Sequence, residues 1–227
     1  MSNYLLNCPR CKADNPLFQS VCKKCGTIIR NRVPSIDLWK IFGLLIENPN
    51  SAFIEIIQAE QKNFATAVLA LALFKVYLLS ILLLGVFNEG RFSIVHFIIL
   101  FAISIVVIIS IGFILKKLLR DQLGEFRIKD FYAGISFSFM PQLIGLFILF
   151  AMEFIVFGEQ LFTFNPSPFL IKKNFAYLFL ILELSIIAWN INLTSKLFAF
   201  YFKKKIVSIF IALVFVGLIY LSMNIFL

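Results

Sequence analysis

Five long apolar segments occupy most of the chain after residue 63 and restrict its fold more than any other feature. They cover residues 64–87, 93–115, 131–157, 175–198 and 206–227. Each exceeds the roughly 20 residues that a helix needs to cross the hydrocarbon core of a bilayer. Their apolar runs are continuous, whereas the strands of an outer-membrane barrel alternate apolar and polar residues. The segments therefore predict five transmembrane helices.

The composition agrees with this prediction. Hydrophobic residues make up 61% of the chain and charged residues 15%, against about 45–50% and about 25% in soluble domains. A soluble globular protein is thereby excluded, and the 29 phenylalanines exclude intrinsic disorder. We predict an all-α integral membrane helical bundle of five transmembrane helices (residues 64–227), preceded by a small zinc ribbon (residues 1–33) and two amphipathic helices (residues 34–63).

The predicted zinc ribbon contains every cysteine of the chain. Two C-x2-C pairs are separated by ten residues, and their members are Cys8, Cys11, Cys22 and Cys25. Tetrahedral Zn²⁺ takes four thiolates at about 2.3 Å, and two cysteines spaced by two residues can bind one ion through a tight turn. Four protein ligands leave no open position for substrate. The pattern therefore predicts one structural Zn²⁺ per chain, which supplies most of the folding free energy of the module.

Two other interpretations of the cysteines remain. Disulfides are disfavoured if the module faces the cytoplasm, where thiols stay reduced. Mononuclear iron is the second alternative, but such sites are usually surrounded by aromatic residues, and only Tyr4 and Phe18 are near here. The module also carries basic residues, which we interpret as solvated side chains that offset the negative charge of a metal–thiolate centre. A nucleic-acid partner is not expected. The basic residues are Arg10, Lys12, Lys23 and Lys24.

The segment 34–63 predicts two short amphipathic helices, which cover residues 36–47 and 49–62. Ser35 is the expected cap of the first helix, and Asn48 followed by Pro49 suits the start of the second. Apolar residues of the second helix recur on one face, and they are Phe53, Ile56, Ile57 and Phe64. Both helices are too short and too charged to span. We expect them to lie in the headgroup region or to dock on the cytoplasmic ends of the bundle.

The basic residues predict the orientation of the chain. The net charge is +9, and most of the 21 basic residues lie before the first span or in the second and fourth connections between spans. These segments are on one side of a five-span chain, and an excess of basic residues is expected on the cytoplasmic side. Asn7, Pro9 and Arg10 interrupt any signal-peptide core near the start. We therefore expect a cytoplasmic N-terminus and, after five spans, a C-terminus outside. The bilayer itself is the first predicted partner.

Two ionisable residues fall inside predicted spans. Lys75 lies at the middle of the first span and Glu183 lies at a similar depth in the fourth. A charge at this depth is costly and requires a partner or a wet cavity. We predict an ion pair or hydrogen bond between them that fixes helix packing, with proton or substrate handling as the alternative. Glu153 and His96 are expected near the outer ends of their spans, within reach of water.

Pro141 lies ten residues into the third span and predicts a helix kink. Proline lacks a backbone N–H, so the carbonyl of Phe137 should lose its usual partner. Ser136 and Ser138 are candidates to satisfy that carbonyl.

Part of the chain resembles the Yip-domain membrane family. The resemblance rests on the amphipathic lead from Asn48-Pro49 to Asn63 and on the stretch from Arg127-Ile-Lys-Asp130 through Tyr132 to Pro141, and it covers about residues 35–227. The cysteines separately resemble a bacterial-type zinc ribbon. Together these resemblances imply a five-span protein of the prokaryotic inner (plasma) membrane. Eukaryotic family members act with Rab-type GTPases, but a short basic module replaces their long acidic N-terminus here, so that partner is not expected.

No catalytic motif is present, since the sequence lacks H-E-x-x-H, G-x-S-x-G, a P-loop and G-x-G-x-x-G. We therefore expect a protein that is not an enzyme. The predicted function is that of a membrane anchor, whose zinc ribbon binds a cytosolic protein partner in membrane organisation or protein recruitment. The alternative is a small transporter or channel that uses Lys75 and Glu183.

Overall fold

The computed structural model of the chain describes residues 5–16, 19–30, 35–84, 93–118, 127–162, 168–202 and 204–225. Tyr4 and Phe18 lie outside the described residues, as do the predicted span ends at 85–87 and 226–227. The N-terminal part, residues 5–30, is called the head below. It contains a two-stranded antiparallel sheet of β1 (Leu5–Asn7) and β2 (Asp14–Pro16), with Leu6 opposite Asn15. Val21 and Ile28 form an antiparallel bridge further along.

Two short helices follow the head, α1 (Leu38–Glu47) and α2 (Pro49–Gln58). The predicted cap at Ser35 is wrong: Asp37 caps α1, because it directly precedes the helix and its Oδ1 accepts from the backbone N–H of Trp39 and Lys40 at 3.0 and 3.1 Å. Ser35 instead forms a parallel bridge with Gln61. The cap of α2 is confirmed, since Asn48 Oδ1 accepts from Ser51 at 3.3 Å and Pro49 is the first helical residue.

Both short helices dock on the rest of the bundle. Ile41 and Leu45 of α1 and Phe53 and Ile56 of α2 are buried in the same apolar core as the long helices. This arrangement agrees with docking on the bundle, and the position in the headgroup region stays a prediction. The prediction for Phe64 is wrong, because α2 ends six residues earlier and the Phe64 side chain is 53% exposed.

The long helices follow in chain order. They are α3 (Ala65–Leu84), α4 (Ile94–Leu118), α5 (Ile128–Ser138), α6 (Pro141–Ile144), a π-helical turn (Gly145–Leu149), α7 (Phe150–Phe157), a 3-10 turn (Gly158–Phe162), α8 (Pro168–Ile171), α9 (Lys173–Phe202) and α10 (Lys205–Ile225). The elements from α5 to the 3-10 turn form one nearly continuous helical segment. Among the described residues, four segments are long and apolar enough to cross a membrane: Ile94–Lys117, Ile128–Leu161, Lys173–Phe202 and Lys205–Ser222. The chain is therefore assigned as a helical membrane protein.

Helix α3 lies at the centre of the bundle. It packs against α4, α5, α6 and α10, and its side chains at Leu69, Leu73, Val76 and Tyr77 are fully buried. An apolar helix with buried residues around much of its circumference is typical of the core of a large bundle. The described apolar part of α3, Ala65–Ile81, is shorter than the four candidate spans.

The third predicted span is interrupted before Pro141. Helix α5 ends at Ser138, and a turn at Phe139–Met140 precedes α6. The Phe137 carbonyl is satisfied by the N–H of Met140 at 3.1 Å. The predicted role of the serines is wrong, because Ser136 donates to the Tyr132 carbonyl and Ser138 to the Ile135 carbonyl, both at 2.8 Å. A tightened turn thus replaces the bond that proline removes.

Candidate functional site

The two C-x2-C turns of the head share one backbone structure. The N–H of Cys8 donates to the Ala13 carbonyl at 3.0 Å, and the N–H of Cys22 donates to the Thr27 carbonyl at 2.9 Å. Each bond therefore spans five residues and starts from the first cysteine of its pair. The two turns, called knuckles below, present their cysteines in equivalent positions.

A left-handed residue closes each knuckle. Lys12 and Gly26 occupy the fourth position after the first cysteine, with φ of 55° and 69°. Their N–H groups donate to the carbonyls of Cys8 and Cys22 at 2.9 and 3.0 Å. Glycine adopts this conformation readily, whereas a lysine carries a steric cost of about 1–2 kcal/mol. Despite this cost, the left-handed conformation of Lys12 gives the first knuckle the same backbone hydrogen bonds as the second.

The four cysteine sulfurs form one compact cluster. All four Sγ atoms lie within 4.8 Å of one another. Two close contacts join different knuckles, with Cys8 Sγ 3.5 Å from Cys25 Sγ and Cys11 Sγ 3.5 Å from Cys22 Sγ. Sulfurs at about 2.3 Å from a tetrahedral ion are about 3.8 Å apart, so the spacing fits a single metal ion. All four cysteines are free thiols, and the cluster is a candidate metal centre.

The hydrogen bonds around Cys22 and Cys25 favour the thiolate, which is the form that binds metal. The N–H group of Cys25, followed by that of Lys24, lowers the pKa of Cys22 to about 6. The Thr27 hydroxyl, 3.2 Å from Cys25 Sγ, contributes most to lowering the pKa of Cys25.

Asn15 joins the two knuckles and was not identified as a site residue from the sequence. Its side chain is 1% exposed. Its Nδ2 donates to the Ala13 carbonyl at 2.8 Å and lies 3.6 Å from Cys22 Sγ, and its Oδ1 accepts from the N–H of Lys23 at 3.1 Å. An asparagine between two cysteine knuckles has no recognisable spacing of its own, so only the folded hairpin reveals this role.

A second candidate site lies inside the helical bundle. Lys75 of α3 is fully buried, and its Nζ donates a hydrogen bond to Glu183 Oε1 of α9. The structure thus brings together the two residues that the sequence pairs by depth. A third charged residue, Glu153 of α7, places its Oε2 3.8 Å from Lys75 Nζ. We call Lys75, Glu153 and Glu183 the buried cluster.

The prediction that Glu153 is within reach of water is wrong, because its side chain is buried with 5% exposure. The prediction rested on the position of Glu153 near the end of a span that was expected to stop at residue 157, whereas the helical segment continues to Phe162. The π-helical turn at Gly145–Leu149 adds a residue to one turn, which rotates the helix that follows by about 100°. This rotation changes the face of the helix on which Glu153 lies, a point that the prediction from depth did not address. His96, by contrast, is exposed on α4 as expected.

The π-helical turn also makes room for the lysine. A Cβ at Gly145 would lie 3.2 Å from Lys75 Cε and 3.2 Å from Ile186 Cδ1. Lys75 Nζ lies 5.6 Å from the centre of the Phe150 ring, within the range of a cation–π contact. The lysine stem therefore occupies space that any side chain at position 145 would reduce.

A third group of charges joins the segment after α2 to the start of α5. Arg127 contacts Glu60 at 3.0 Å and Asp130 at 2.8 Å, Lys129 contacts Glu60 at 2.7 Å, and Lys62 contacts Asp130 at 2.9 Å. We call these five residues the linker cluster. The residues that carry the Yip resemblance at 127–130 therefore contact the end of the amphipathic lead. These contacts were not predicted from the sequence.

Burial divides the linker cluster. The Lys62 side chain is only 9% exposed, and loss of water around its ammonium lowers its pKa to about 8 despite the attraction of Asp130. Glu60 is 41% exposed, and the hydrogen bond from Lys129, supported by Arg127, lowers its pKa below the usual value. The Lys62 ammonium and the Glu60 carboxyl therefore change protonation in different pH ranges.

Comparison with protein families, with curated proteins and with solved structures gave no match to this chain.

Proposed function

We propose that the protein is a non-enzymatic integral membrane protein, in which a zinc-binding head recruits a cytosolic protein and a five-span, Yip-like bundle anchors it. The observation that carries this proposal is the cluster of four cysteine sulfurs, all within 4.8 Å, on a polar head that precedes the apolar helices. A closed four-thiolate site has no position for a substrate, so its role is to fold and present the head.

Zinc is the metal that the donor set favours. Four soft thiolates in a tetrahedral arrangement suit Zn²⁺, and this geometry is also compatible with iron. The exposed lysines and arginine between the ligands offset the two excess negative charges that Zn²⁺ with four thiolates would carry. They are Arg10, Lys12, Lys23 and Lys24.

Metal analysis of the purified full-length protein tests this assignment. We expect about one zinc per chain, with little zinc in a Cys11→Ser variant. Arg10→Gln is the matched control, because it changes an exposed residue between two ligands and removes no thiol. Full zinc occupancy in Cys11→Ser, or stoichiometric iron in the native protein, would overturn the zinc centre.

Helix α3 is the proposed fifth span. Its 20 residues correspond to a length of about 30 Å at 1.5 Å per residue, which matches the hydrocarbon core. Its Lys75 reaches Glu183, which lies about a third of the way along the candidate span Lys173–Phe202. A helix that contacts the interior of another span lies most favourably within the membrane itself.

Five spans place the two ends of the chain on opposite sides. Together with the basic residues near the N-terminal side, this gives a cytoplasmic head in a prokaryotic inner membrane and a C-terminus outside. Labelling of intact cells with an impermeant reagent tests both points. It should reach a tag after Leu227 and miss one before Met1, whereas tags on the same side would indicate an even number of spans.

An exposed surface on the head is suited to a protein partner. The bridged residues Val21 and Ile28 are 44% and 60% exposed. Lys23 and Lys24 lie in the same knuckle and are also exposed. An apolar pair beside two ammonium groups fits a partner with an apolar contact and acidic residues around it.

Site-specific photo-crosslinking in cells tests recruitment. A crosslinker at position 28 of the full-length protein should capture one protein, which then recovers this chain when it is tagged itself. Capture should be lost in Cys11→Ser and weakened in Lys23→Glu/Lys24→Glu, and a crosslinker at exposed Glu159 should not give it. Absence of a reciprocal partner, or equal capture by Cys11→Ser, would contradict recruitment by the folded head.

The buried cluster favours a second candidate function, a small transporter or channel that uses Lys75 and Glu183. Three ionisable residues buried between helices are costly and often functional. The double variant Lys75→Met/Glu183→Leu separates the candidates. An anchor should keep its head-dependent crosslink in this variant. A transporter should lose flux in proteoliposomes while its helical content and elution volume stay unchanged.

A further inference from the structure

The buried cluster contains one basic and two acidic side chains. Lys75, Glu153 and Glu183 are 0%, 5% and 3% exposed, so water can balance little of their charge. If all three were ionised, the cluster would carry a net charge of −1 in an apolar bundle. Such a charge is far more costly than a neutral arrangement. The cluster therefore requires one more positive charge.

Two carboxylate oxygens are available for that charge. Lys75 Nζ is bonded to Glu183 Oε1 and is 3.8 Å from Glu153 Oε2, which is beyond hydrogen-bond distance. Glu153 Oε2 and Glu183 Oε2 are both buried without a hydrogen-bond partner. A buried carboxylate oxygen without a donor is unfavourable. Protonation of one carboxyl would remove the net charge and provide a donor at the same time.

The neighbouring helices supply no other charge to this site. Across the described chain, Lys75 is the one cation within 4.0 Å of either carboxylate. A titratable group of α10 also faces the site: the Tyr220 hydroxyl interacts electrostatically with Glu183 and accepts a hydrogen bond from Gln142 Nε2 of α6 at 2.6 Å. The π-helical turn contributes only Gly145 and apolar residues. A tyrosine hydroxyl and an amide are neutral and cannot balance the second carboxylate.

We propose that Lys75, Glu153 and Glu183 form a proton-binding site within the bundle, in which the two carboxyl groups share one exchangeable proton. With the proton bound, Lys75 neutralises the remaining carboxylate and the cluster is neutral. When the proton leaves to water, both carboxylates compete for the same ammonium. Glu153 and Glu183 belong to different helices, α7 and α9, so proton release changes the forces between those helices.

Infrared spectroscopy of the full-length protein in lipid tests the site. At neutral pH we expect the carbonyl band of one protonated carboxyl that shifts in D₂O and disappears reversibly as the pH is raised. Glu153→Gln should abolish the band, because Gln replaces the protonated group without adding charge. Glu159→Gln, at an exposed glutamate of the 3-10 turn, is the matched control and should retain it.

Three results would overturn the proposal. They are the absence of such a band in the native protein, its retention in both Glu153→Gln and Glu183→Gln, and its loss on addition of Na⁺ at constant pH. The last result would assign the site to a metal cation. If Glu153→Gln does not fold, the reversible titration of the native protein still decides the matter. None of these outcomes depends on zinc in the head or on its partner.

Discussion

The linker cluster and the buried cluster each contain unequal numbers of basic and acidic residues, but they differ in their exposure to water. The linker cluster has three basic and two acidic residues, and its Glu60–Lys129 pair is 41% and 46% exposed. The buried cluster has one basic and two acidic residues that are almost fully buried. Water and salt can balance an excess charge at the first cluster but not at the second. An excess of one charge therefore costs little free energy near the ends of the helices, whereas inside the bundle it requires a change in protonation.

The strongest test of this comparison is Lys75→Met. Removal of the ammonium leaves Glu183 buried without its partner, so we expect the free energy of unfolding in detergent to fall by about 3–5 kcal/mol. The loss should be largest above neutral pH, where the carboxyls take up a second proton least readily. Denaturant titration of the helical signal measures it.

Lys75→Met/Glu183→Leu is the control for that variant. It removes both partners and leaves one carboxyl that can be neutral, so most of the lost stability should return. Equal stability of Lys75→Met and the native protein would show that the buried cluster has no special electrostatic requirement.

Gly145→Ala sharpens the comparison through space instead of charge. The new methyl group would lie 3.2 Å from Lys75 Cε, and we expect overpacking to lower the free energy of unfolding by about 1–3 kcal/mol. Gly43→Ala is the matched control, because nothing lies within 4 Å of a Cβ at that position of α1. The control should be neutral or stabilising by up to about 1 kcal/mol. Similar effects of the two changes would contradict the role of Gly145.

Lys62 is intermediate between the two clusters in burial, and its contribution can be measured from the pH dependence of the free energy of unfolding. Its pKa is about 8 in the folded protein and 10.5 ordinarily, so between these values the unfolded chain binds the proton that the folded protein has lost. The contribution of Lys62 to stability should therefore rise with pH from about 8 to 10.5. Unfolding curves of native protein and Lys62→Met, compared at several pH values, isolate this contribution. Parallel pH profiles would count against it.

The smallest effect is expected at the exposed end of the linker cluster. Glu60→Gln removes a surface carboxylate from Arg127 and Lys129, which should cost about 0.2–1 kcal/mol at low salt. Added salt should reduce the difference, since it screens exposed pairs. The effect of Lys75→Met should depend little on salt. A large, salt-independent effect of Glu60→Gln would remove the distinction between the two clusters.

The sequence predicts those features that depend on spacing along the chain. The C-x2-C pairs place four thiols so that local turns bring them together, and long apolar runs specify helices whatever their packing. The cap at Asn48 follows from the chemistry of two adjacent residues. The cap at Asp37 was missed because Ser35 also fits the pattern and the start of a helix is uncertain by one or two residues.

Features that depend on packing were less accessible. The depth argument paired Lys75 with Glu183 because the two residues lie at similar depths in their predicted spans. The same argument placed Glu153 near the outer end because it ended the third span at residue 157, whereas the helical segment continues to Phe162. The contacts of Arg127 and Lys129 with Glu60 join residues 67 and 69 positions apart, a distance over which no sequence period carries information.

The bridge between Ser35 and Gln61 has a mechanical consequence. It pins the chain that leaves the head to the residue beside Lys62, whose ammonium contacts Asp130 in the first turn of α5. A force applied to the head therefore reaches the start of α5 through Ser35, Gln61 and Lys62, without passing along α1 and α2. Tension on the head would act first on the N-terminal turn of α5.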